Sequence, residues 1–210
     1  MNNDSYLKKT GILGGTFNPI HVGHLMLAQN AVEYCELDEV LIMPSGVSYL
    51  KDPDKIAPVE HRLEMTRLAI EGNDRFVLST IETDRGGNSY TYETLEALTA
   101  GNPDTQYYYI IGADTLFSME TWKNPEKIFA GCTVVCAKRD SYSDDELAAK
   151  AQSLTEKYGA KIIIMDIPEV PVSSTTIRQQ LEKGMSCRYY LDDKVIDYIR
   201  KNGLYTGKKE

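Results

Sequence analysis

The sequence predicts an α/β domain built on a doubly wound, mostly parallel sheet. Two observations lead to this prediction. Short apolar runs alternate with helical patterns along the chain, and parallel strands need helical crossovers of this kind. The runs are also continuously apolar, which is typical of strands that are buried on both faces. Ligands of such sheets bind at the carboxyl ends of the strands, so we expect functional residues directly after the strands.

Six apolar runs account for the predicted strands. They cover residues 11–15, 40–44, 76–83, 107–112, 133–138 and 161–165. The run at 76–83 is assigned as a strand because it is rich in β-branched residues. Residues 45–58 form a polar loop with two prolines, and its length suggests a functional role.

Apolar spacing and capping residues predict the helices between and after these strands. They lie near residues 24–35, 59–70, 91–101, 144–158, 174–183 and 192–202. In the second helix Val59, Leu63 and Ile70 are expected to share one apolar face. Thr91 and Ser174 are the predicted N-caps of their helices, because their hydroxyls can accept hydrogen bonds from unpaired amides.

The composition indicates one globular domain. The chain has 210 residues, 42% of them hydrophobic, and a formal net charge of −8. We expect residues 1–210 to form a single domain with a small C-terminal helical part from about 174. Nucleic-acid binders usually have a basic face, so no nucleic-acid partner is expected.

Localisation is predicted from cysteines and apolar runs. The four cysteines form no CxxC pair, which favours reduced structural thiols. The apolar runs are too short for a membrane span, and the N-terminal residues have no signal-peptide core. We therefore expect a cytoplasmic protein without a membrane partner.

The segment GGTFNPIHVGHL, residues 14–25, joins a predicted strand to a helix. Its glycines allow a ligand to approach the backbone closely, and free amides at the helix start attract anions. Thr16 adds a hydroxyl. His21 and His24 can face one ligand and donate hydrogen bonds to oxygens whose charge grows during a reaction. The segment predicts a phosphate site, although it matches neither GxGxxG nor GxxxxGK[ST].

A second anion site is predicted in VSSTTIRQQL, residues 172–181. Ser173, Ser174 and Thr175 supply hydroxyls and amides at a point where a loop becomes a helix. Arg178 lies one turn later and can pair with phosphate oxygens. Together these residues are suited to binding the phosphates of a nucleoside triphosphate such as ATP.

Two further features lie after the fourth predicted strand. Gly112 and Asp114 follow the strand directly, at the ligand edge of the predicted sheet. Trp122 is the only tryptophan, and its ring face can stack on an aromatic ligand. These residues predict a ligand site in this part of the chain.

The motifs resemble those of the nucleotidyltransferase superfamily. HVGH at 21–24 is similar to its (T/H)xGH signature, and SSTTIR at 173–178 is similar to its C-terminal SSTxIR motif. Within the superfamily, GGTFNPIHVGH is most similar to the bacterial nicotinate-nucleotide adenylyltransferases. The resemblance implies a Rossmann-like nucleotidyltransferase fold. It also implies transfer of AMP from ATP to nicotinate mononucleotide, which gives nicotinate adenine dinucleotide and pyrophosphate.

The resemblance further implies roles for single residues. His21, His24 and Arg178 would be the catalytic residues that steady the triphosphate and the leaving pyrophosphate. The ATP-binding residues would be Gly14, Gly15, Thr16, Phe17, Gly23, Gly112, Asp114, Ser173, Ser174 and Thr175. Asp114 would lie near the ribose hydroxyls. Mg²⁺ would accompany ATP, held mainly by ATP and water rather than by a protein cage.

For the acceptor, the resemblance implies that Trp122 stacks on the nicotinate ring and that the helix start at Thr91 meets its carboxylate. The mononucleotide-binding residues would be Asn18, Lys51, Ser89, Tyr90, Thr91, Trp122 and Arg139. Two departures from the family pattern stand out. Asn18 replaces a frequent aspartate, and SYLK at 48–51 replaces the usual PPHK.

Alternative functions stay open at this point. The reaction could be another adenylyl or cytidylyl transfer to a phosphate acceptor, for example nicotinamide mononucleotide or phosphopantetheine, and the chain could be a catalytically silent nucleotide sensor. Trp122, the SYT segment at 89–91 and the chain length argue against phosphopantetheine. The intact motifs argue against a sensor. HVGH also resembles the HIGH motif of class I aminoacyl-tRNA synthetases, but no KMSKS-like loop is present. The sequence does not indicate an oligomeric state.

Overall fold

A computed structural model describes residues 7–46, 56–138, 141–168 and 170–206. Six strands form one sheet in the order β3-β2-β1-β4-β5-β6. The strands are β1 Lys8–Gly15, β2 Glu39–Pro44, β3 Phe76–Leu78, β4 Thr105–Gly112, β5 Thr133–Ala137 and β6 Lys161–Met165. β4 pairs in parallel with β1 and β5, and β5 pairs in parallel with β6. This is the strand order of a doubly wound fold, so the predicted fold class is confirmed.

Helices connect the strands. They are α1 Val22–Cys35, α2 Val59–Ile70, α3 Ile81–Arg85, α4 Thr91–Gly101, α5 Ala113–Ser118, α6 Pro125–Gly131, α7 Asp144–Tyr158, α8 Ser174–Glu182 and α9 Asp193–Lys201. A 3₁₀ turn covers Met119–Thr121. The predicted bounds of α2, α7 and β6 agree with the structure, whereas α3, α5 and α6 were not predicted. Among the described residues, no helix has the length and hydropathy needed to cross a bilayer.

Two predicted N-caps are wrong by one residue. α4 begins at Thr91, but its N-cap is Tyr90, which makes no side-chain capping bond. The N-cap of α8 is Ser173, whose hydroxyl accepts a hydrogen bond from the amide of Thr176 at 3.1 Å. Ser174 is instead the first residue of α8, and this shift frees its hydroxyl for a contact elsewhere.

The buried face of α2 also differs from the prediction. Arg62, Met65 and Thr66 are buried in the structure, together with Ile70. Val59 is 37% exposed. The helix is therefore rotated relative to the predicted apolar face, and an arginine takes a core position.

The chain divides into two compact units, neither of them continuous in sequence. The first unit comprises Met1–Leu13, Ala28–Leu41 and Tyr90–Glu169, and the second comprises Gly14–Leu27, Ile42–Ser89 and Val170–Glu210. Ile12, Ile110 and Val134 are buried in the first unit. Ile20 and Met65 are buried in the second, where α2 packs against α9. The predicted single domain stays a prediction.

Candidate active site

The turn after β1 lies in the second unit and is shaped by glycine and phenylalanine. Phe17 is buried and has a φ of 47°, in the left-handed region that a phenylalanine rarely adopts. A Cβ on Gly15 would lie 2.9 Å from the Phe17 ring, so only glycine fits beneath it. A cis peptide bond joins Asn18 to Pro19. Gly15 and the left-handed φ of Phe17 therefore shape the turn before α1 begins.

The two histidines of the turn form a stacked pair. Their ring centroids are 3.7 Å apart, and the ring planes are inclined by 27°. The amide of His21 donates to Nδ1 of His24 at 3.2 Å. Because that nitrogen accepts, the neutral ring of His24 has its proton on Nε2. His24 is thus fixed in the form that can donate to a ligand oxygen through Nε2.

Neighbouring residues hold this pair in place. The ring of Phe17 meets the ring of His24 edge-on, with centroids 5.0 Å apart. A Cβ on Gly23 would lie 3.2 Å from two atoms of the His21 ring and 3.1 Å from Val172. Gly23 therefore makes room for the imidazole, in addition to any contact that its backbone makes with a ligand.

Several amides at the start of α1, which we expected to be free to bind an anion, donate to protein carbonyls instead. The amide of Val22 donates to the Tyr190 carbonyl at 2.9 Å, and the amides of His24 and Leu25 donate to the His21 carbonyl. The His21 amide is also engaged, so these four amides already donate within the protein. The helix dipole still favours negative charge there.

The junction before α8 contacts the same turn. The hydroxyl of Ser174 donates to the Pro19 carbonyl at 2.9 Å. The guanidinium of Arg178 donates to the Asn18 carbonyl at 2.9 Å and to the hydroxyl of Thr175 at 3.3 Å. Both motifs lie in the second unit. The structure thus brings together two loop-to-helix junctions that are about 150 residues apart in the chain.

Asn18 binds protein groups through its side chain. Its Oδ1 accepts from the Ala57 amide at 3.0 Å and from the Tyr205 hydroxyl at 2.7 Å. Burial raises the pKa of Tyr205, and the nearby guanidinium groups of Arg178 and Arg62 oppose this rise. Asn18 therefore anchors the turn to two distant segments, and its predicted contact with a mononucleotide stays a prediction.

Gly112 and Asp114 lie in the first unit, at the end of β4 and the start of α5. The Tyr142 hydroxyl donates to the Asp114 carboxylate, and the Tyr142 ring stacks on Phe117 with centroids 4.4 Å apart. Burial, followed by the charge of Asp114, raises the pKa of Tyr142. Through this hydrogen bond Tyr142 can orient the carboxylate.

An aromatic cluster in the first unit contains three of the seven predicted acceptor residues, Tyr90, Thr91 and Trp122. Trp122 meets the ring of Tyr109 edge-on, with centroids 6.1 Å apart. The Tyr109 hydroxyl lies 3.5 Å from the hydroxyl of Thr91. The ammonium of Lys123 lies 4.5 Å above the Tyr90 ring. The cluster combines ring faces, hydroxyls and a cation, which suits an aromatic ligand that carries a carboxylate.

The predicted site residues are distributed over both units. The second unit holds Gly14, Gly15, Thr16, Phe17, Asn18, His21, Gly23, His24, Ser89, Ser173, Ser174, Thr175 and Arg178. The first unit holds Gly112, Asp114, Tyr90, Thr91 and Trp122. Ser89 uses its hydroxyl to accept from the Gly46 amide at 3.1 Å. Lys51, Arg139 and the SYLK segment lie outside the described residues.

Sequence reasoning missed four residues that contact these sites, namely Arg62, Tyr109, Tyr142 and Tyr205. The sequence could have indicated Tyr109, because this residue lies two positions from Tyr107, on the same face of a strand that ends in the IGAD segment. The indication for Arg62 is weaker: it lies three residues before Met65 and so shares a helical face with it. Within the described ranges, no group of three acidic, histidine or cysteine residues is placed to hold a metal ion.

Comparisons with known proteins bear on the family and the fold of this chain. The cytidylyltransferase-like family matches residues 12–180. A Lachnoclostridium phytofermentans protein named "Probable nicotinate-nucleotide adenylyltransferase" is 43% identical over 199 residues, covering 95% of this chain and 100% of that protein. A Lactiplantibacillus plantarum protein of the same name is 41% identical over 198 residues, and the match covers 94% of this chain and 88% of that protein.

A solved structure also matches this fold. The nicotinic acid mononucleotide adenylyltransferase of Plasmodium falciparum, in complex with NaAD, superimposes with a TM-score of 0.78. The two chains are 22% identical, and the match covers 94% of this chain and 97% of that one. At this identity the likeness bears on the fold, and it confirms a Rossmann-like nucleotidyltransferase architecture.

Proposed function

This chain belongs to the cytidylyltransferase-like family, and we propose that it transfers AMP from ATP to nicotinate mononucleotide. The products are nicotinate adenine dinucleotide and pyrophosphate. One observation carries the reaction type: the stacked histidines follow a turn whose carbonyls are held by Arg178 and Ser174. The names of the full-length relatives support the choice of acceptor.

The chemistry is an in-line displacement at the α-phosphorus of ATP. An oxygen of the mononucleotide 5′-phosphate forms the new P–O bond, and the bond to the bridging oxygen of pyrophosphate breaks. The attacking phosphate is already an anion, so a strong general base is not required. Positioning and charge stabilisation supply most of the acceleration.

In this proposal three side chains act on the triphosphate. His24 donates from Nε2 to an oxygen whose negative charge grows as pyrophosphate leaves. His21, stacked beneath it, supports the ring and adds a second imidazole. Arg178 lies one turn into α8 and contributes a permanent positive charge. Their donors balance the charge of the leaving pyrophosphate, and because the mononucleotide phosphate attacks directly, no covalent enzyme intermediate is needed.

The proposal includes Mg²⁺ as part of the substrate, because ATP binds Mg²⁺ through its phosphate oxygens. Mg²⁺ prefers oxygen ligands, whereas the turn offers imidazole and guanidinium donors that suit phosphate oxygens directly. The protein groups and the ion would therefore share the phosphate charge between them. No step depends on a protein-bound ion.

We assign the nicotinate moiety to the aromatic cluster of the first unit. Trp122 would stack on the pyridine ring, and the amide end of α4 at Thr91 would meet the carboxylate. Tyr90 belongs to the same cluster, and the acceptor contacts of Ser89, Asn18, Lys51 and Arg139 stay predictions from the sequence. Asp114, oriented by Tyr142, would accept hydrogen bonds from ribose hydroxyls.

A cytoplasmic location is part of the proposal. All four cysteines are buried free thiols rather than disulfides. Free thiols are the usual state in the reducing cytosol.

The test is an assay of pyrophosphate release with MgATP and one acceptor at a time. Nicotinate mononucleotide should give the highest kcat/KM, nicotinamide mononucleotide a lower one, and phosphopantetheine none. A higher kcat/KM for nicotinamide mononucleotide would show that this compound, and not nicotinate mononucleotide, is the preferred acceptor. Tight binding of ATP with no pyrophosphate release from any acceptor would indicate a nucleotide sensor and refute the proposed reaction.

A further inference from the structure

A single buried arginine binds four backbone carbonyls around the candidate site. Arg62, on α2, is 3% exposed. Its Nε donates to the Ala57 carbonyl at 3.1 Å. One terminal nitrogen donates to the carbonyls of Thr16 and Ser45, both at 2.8 Å, and the other donates to Gly46 at 3.2 Å. All four acceptors are main-chain oxygens of the second unit.

These carbonyls belong to three separate segments. Thr16 is in the turn after β1, Ser45 and Gly46 directly follow β2, and Ala57 precedes α2. The end of β2 is also joined to the turn by a hydrogen bond from the Ser45 amide to the Gly15 carbonyl at 2.8 Å. Arg62 therefore fixes the turn relative to the segments that flank it, and a fork of five donors is the side chain that can do so.

The position of the Thr16 carbonyl matters because of the next residue. Phe17 has the left-handed φ of 47°, which costs conformational free energy and persists only when the surroundings impose it. Arg62 holds the carbonyl before Phe17, and Arg178 holds the carbonyl after it, that of Asn18. Two guanidinium groups thus clamp the strained residue on both sides.

The clamp leads to the histidine pair through direct contact. The Phe17 ring meets His24 edge-on, and His24 in turn binds the His21 amide. We propose that Arg62 is a positioning residue for the adenylyl transfer, which holds Phe17 in its left-handed conformation and so places His24 against the phosphates. This inference rests on the proposed function for its kinetic part. Arg62 itself is not a catalytic residue, since it acts through the turn.

The test compares Arg62→Lys and Arg62→Gln with Met65→Ala in the full-length protein. Lysine keeps the charge but has three donors on one atom, so it cannot reach all four carbonyls. Glutamine removes the charge. Met65 is fully buried one turn further along α2, and its truncation destabilises the same helix without a bond to the turn.

In both Arg62 variants we expect kcat to fall on the order of 10- to 100-fold, the effect of moving a catalytic group by a fraction of an ångström to one ångström. KM for ATP and for nicotinate mononucleotide should change less than kcat. Met65→Ala should lower Tm at least as much as Arg62→Lys and leave kcat near that of the wild type below its melting temperature.

A second readout does not depend on turnover. Hydrogen–deuterium exchange of peptides covering residues 14–24 should become faster in the Arg62 variants and stay unchanged in Met65→Ala. Unchanged exchange in this segment, or a wild-type kcat in Arg62→Lys, would overturn the proposal. If the wild type released no pyrophosphate with any acceptor, the proposed function would fail, and the exchange experiment alone would decide the role of Arg62.

Discussion

The most informative substitution at the candidate site is His24→Asn, because it separates two tasks of one ring. His24 accepts a hydrogen bond from the His21 amide through Nδ1, and we assign its Nε2 proton to a phosphate oxygen. The asparagine Oδ1 can take the place of Nδ1, but asparagine is too short to replace Nε2. The variant should therefore keep the local fold and lose the donor.

The expected size of each effect follows from the contacts. Loss of one donor to a developing charge costs about 2.7–4 kcal/mol, or roughly 10²–10³-fold in kcat. Loss of the stacking on His21, whose ring centroid is 3.7 Å away, costs about 0.5–1.5 kcal/mol of folding stability. For a chain of this size that lowers Tm by about 1–6 °C. His24→Ala also loses the hydrogen bond from the His21 amide, so its free energy of unfolding should be lower by about another 1 kcal/mol.

The assay is pyrophosphate release at saturating ATP and acceptor, with Tm measured on the same samples. His24→Asn should show a folded protein with kcat reduced by two to three orders of magnitude, and His24→Ala should have a similar kcat but a lower Tm. His24→Gln, whose amide nitrogen can approach the position of Nε2, should recover part of kcat. Turnover near the wild-type level in His24→Asn would refute the assignment of Nε2 as a phosphate donor.

Three further predictions concern the first unit. Trp122→Ala should raise KM for nicotinate mononucleotide by roughly 2- to 13-fold, the equivalent of about 0.5–1.5 kcal/mol of stacking, whereas Trp122→Phe should retain most affinity; equal KM values in all three proteins would exclude stacking. Hydrogen bonds from Lys150, then from Lys157, lower the pKa of Glu120 to about 2. The folded-state pKa lies below the unfolded value of about 4.3. The ion pairs of Glu120 therefore stabilise the fold fully above about pH 4.3, and this stabilisation is lost as the pH falls toward 2. The Tm difference between wild type and Glu120→Gln should therefore shrink over that range, and a constant difference would contradict the ion pairs. Burial raises the pKa of Cys136 to about 12, so its thiol should resist a disulfide reagent at pH 8 until the protein unfolds; rapid labelling of the native protein would show that the site is accessible.

Local sequence determines most of the secondary structure here, and one of the exceptions shows why it is not sufficient. Residues 76–83 are rich in β-branched side chains, yet the strand ends at Leu78 and α3 starts at Ile81. The Thr80 hydroxyl donates to the Asp84 carboxylate at 2.6 Å, and the Asp84 amide donates to the Thr80 carbonyl at 2.8 Å. These local hydrogen bonds favour one helical turn over the extended conformation that residue propensities suggest.

The histidines were predictable for a different reason than Arg62. HVGH is one contiguous segment, so its spacing already predicts two imidazoles on one ligand. Arg62 acts on carbonyls from three segments, and no sequence pattern identifies main-chain oxygens that meet only after folding. Even the helical face was misjudged, because an arginine among core positions is read as solvent-exposed until its partners are known.

The two arginines also explain how a chain with a net charge of −8 could attract a triphosphate. Surface lysines such as Lys127 and Lys194 pair with glutamates, which cancels their field. Arg62 and Arg178 instead donate to carbonyl oxygens, which satisfy the hydrogen bonds without neutralising the charge. Burial lowers the pKa of Arg62 from its usual value, but a guanidinium keeps its proton under all physiological conditions. Carbonyl-bound arginines therefore place positive charge at the turn, and acidic surface groups farther away than a Debye length, about 8 Å at physiological ionic strength, are largely screened there.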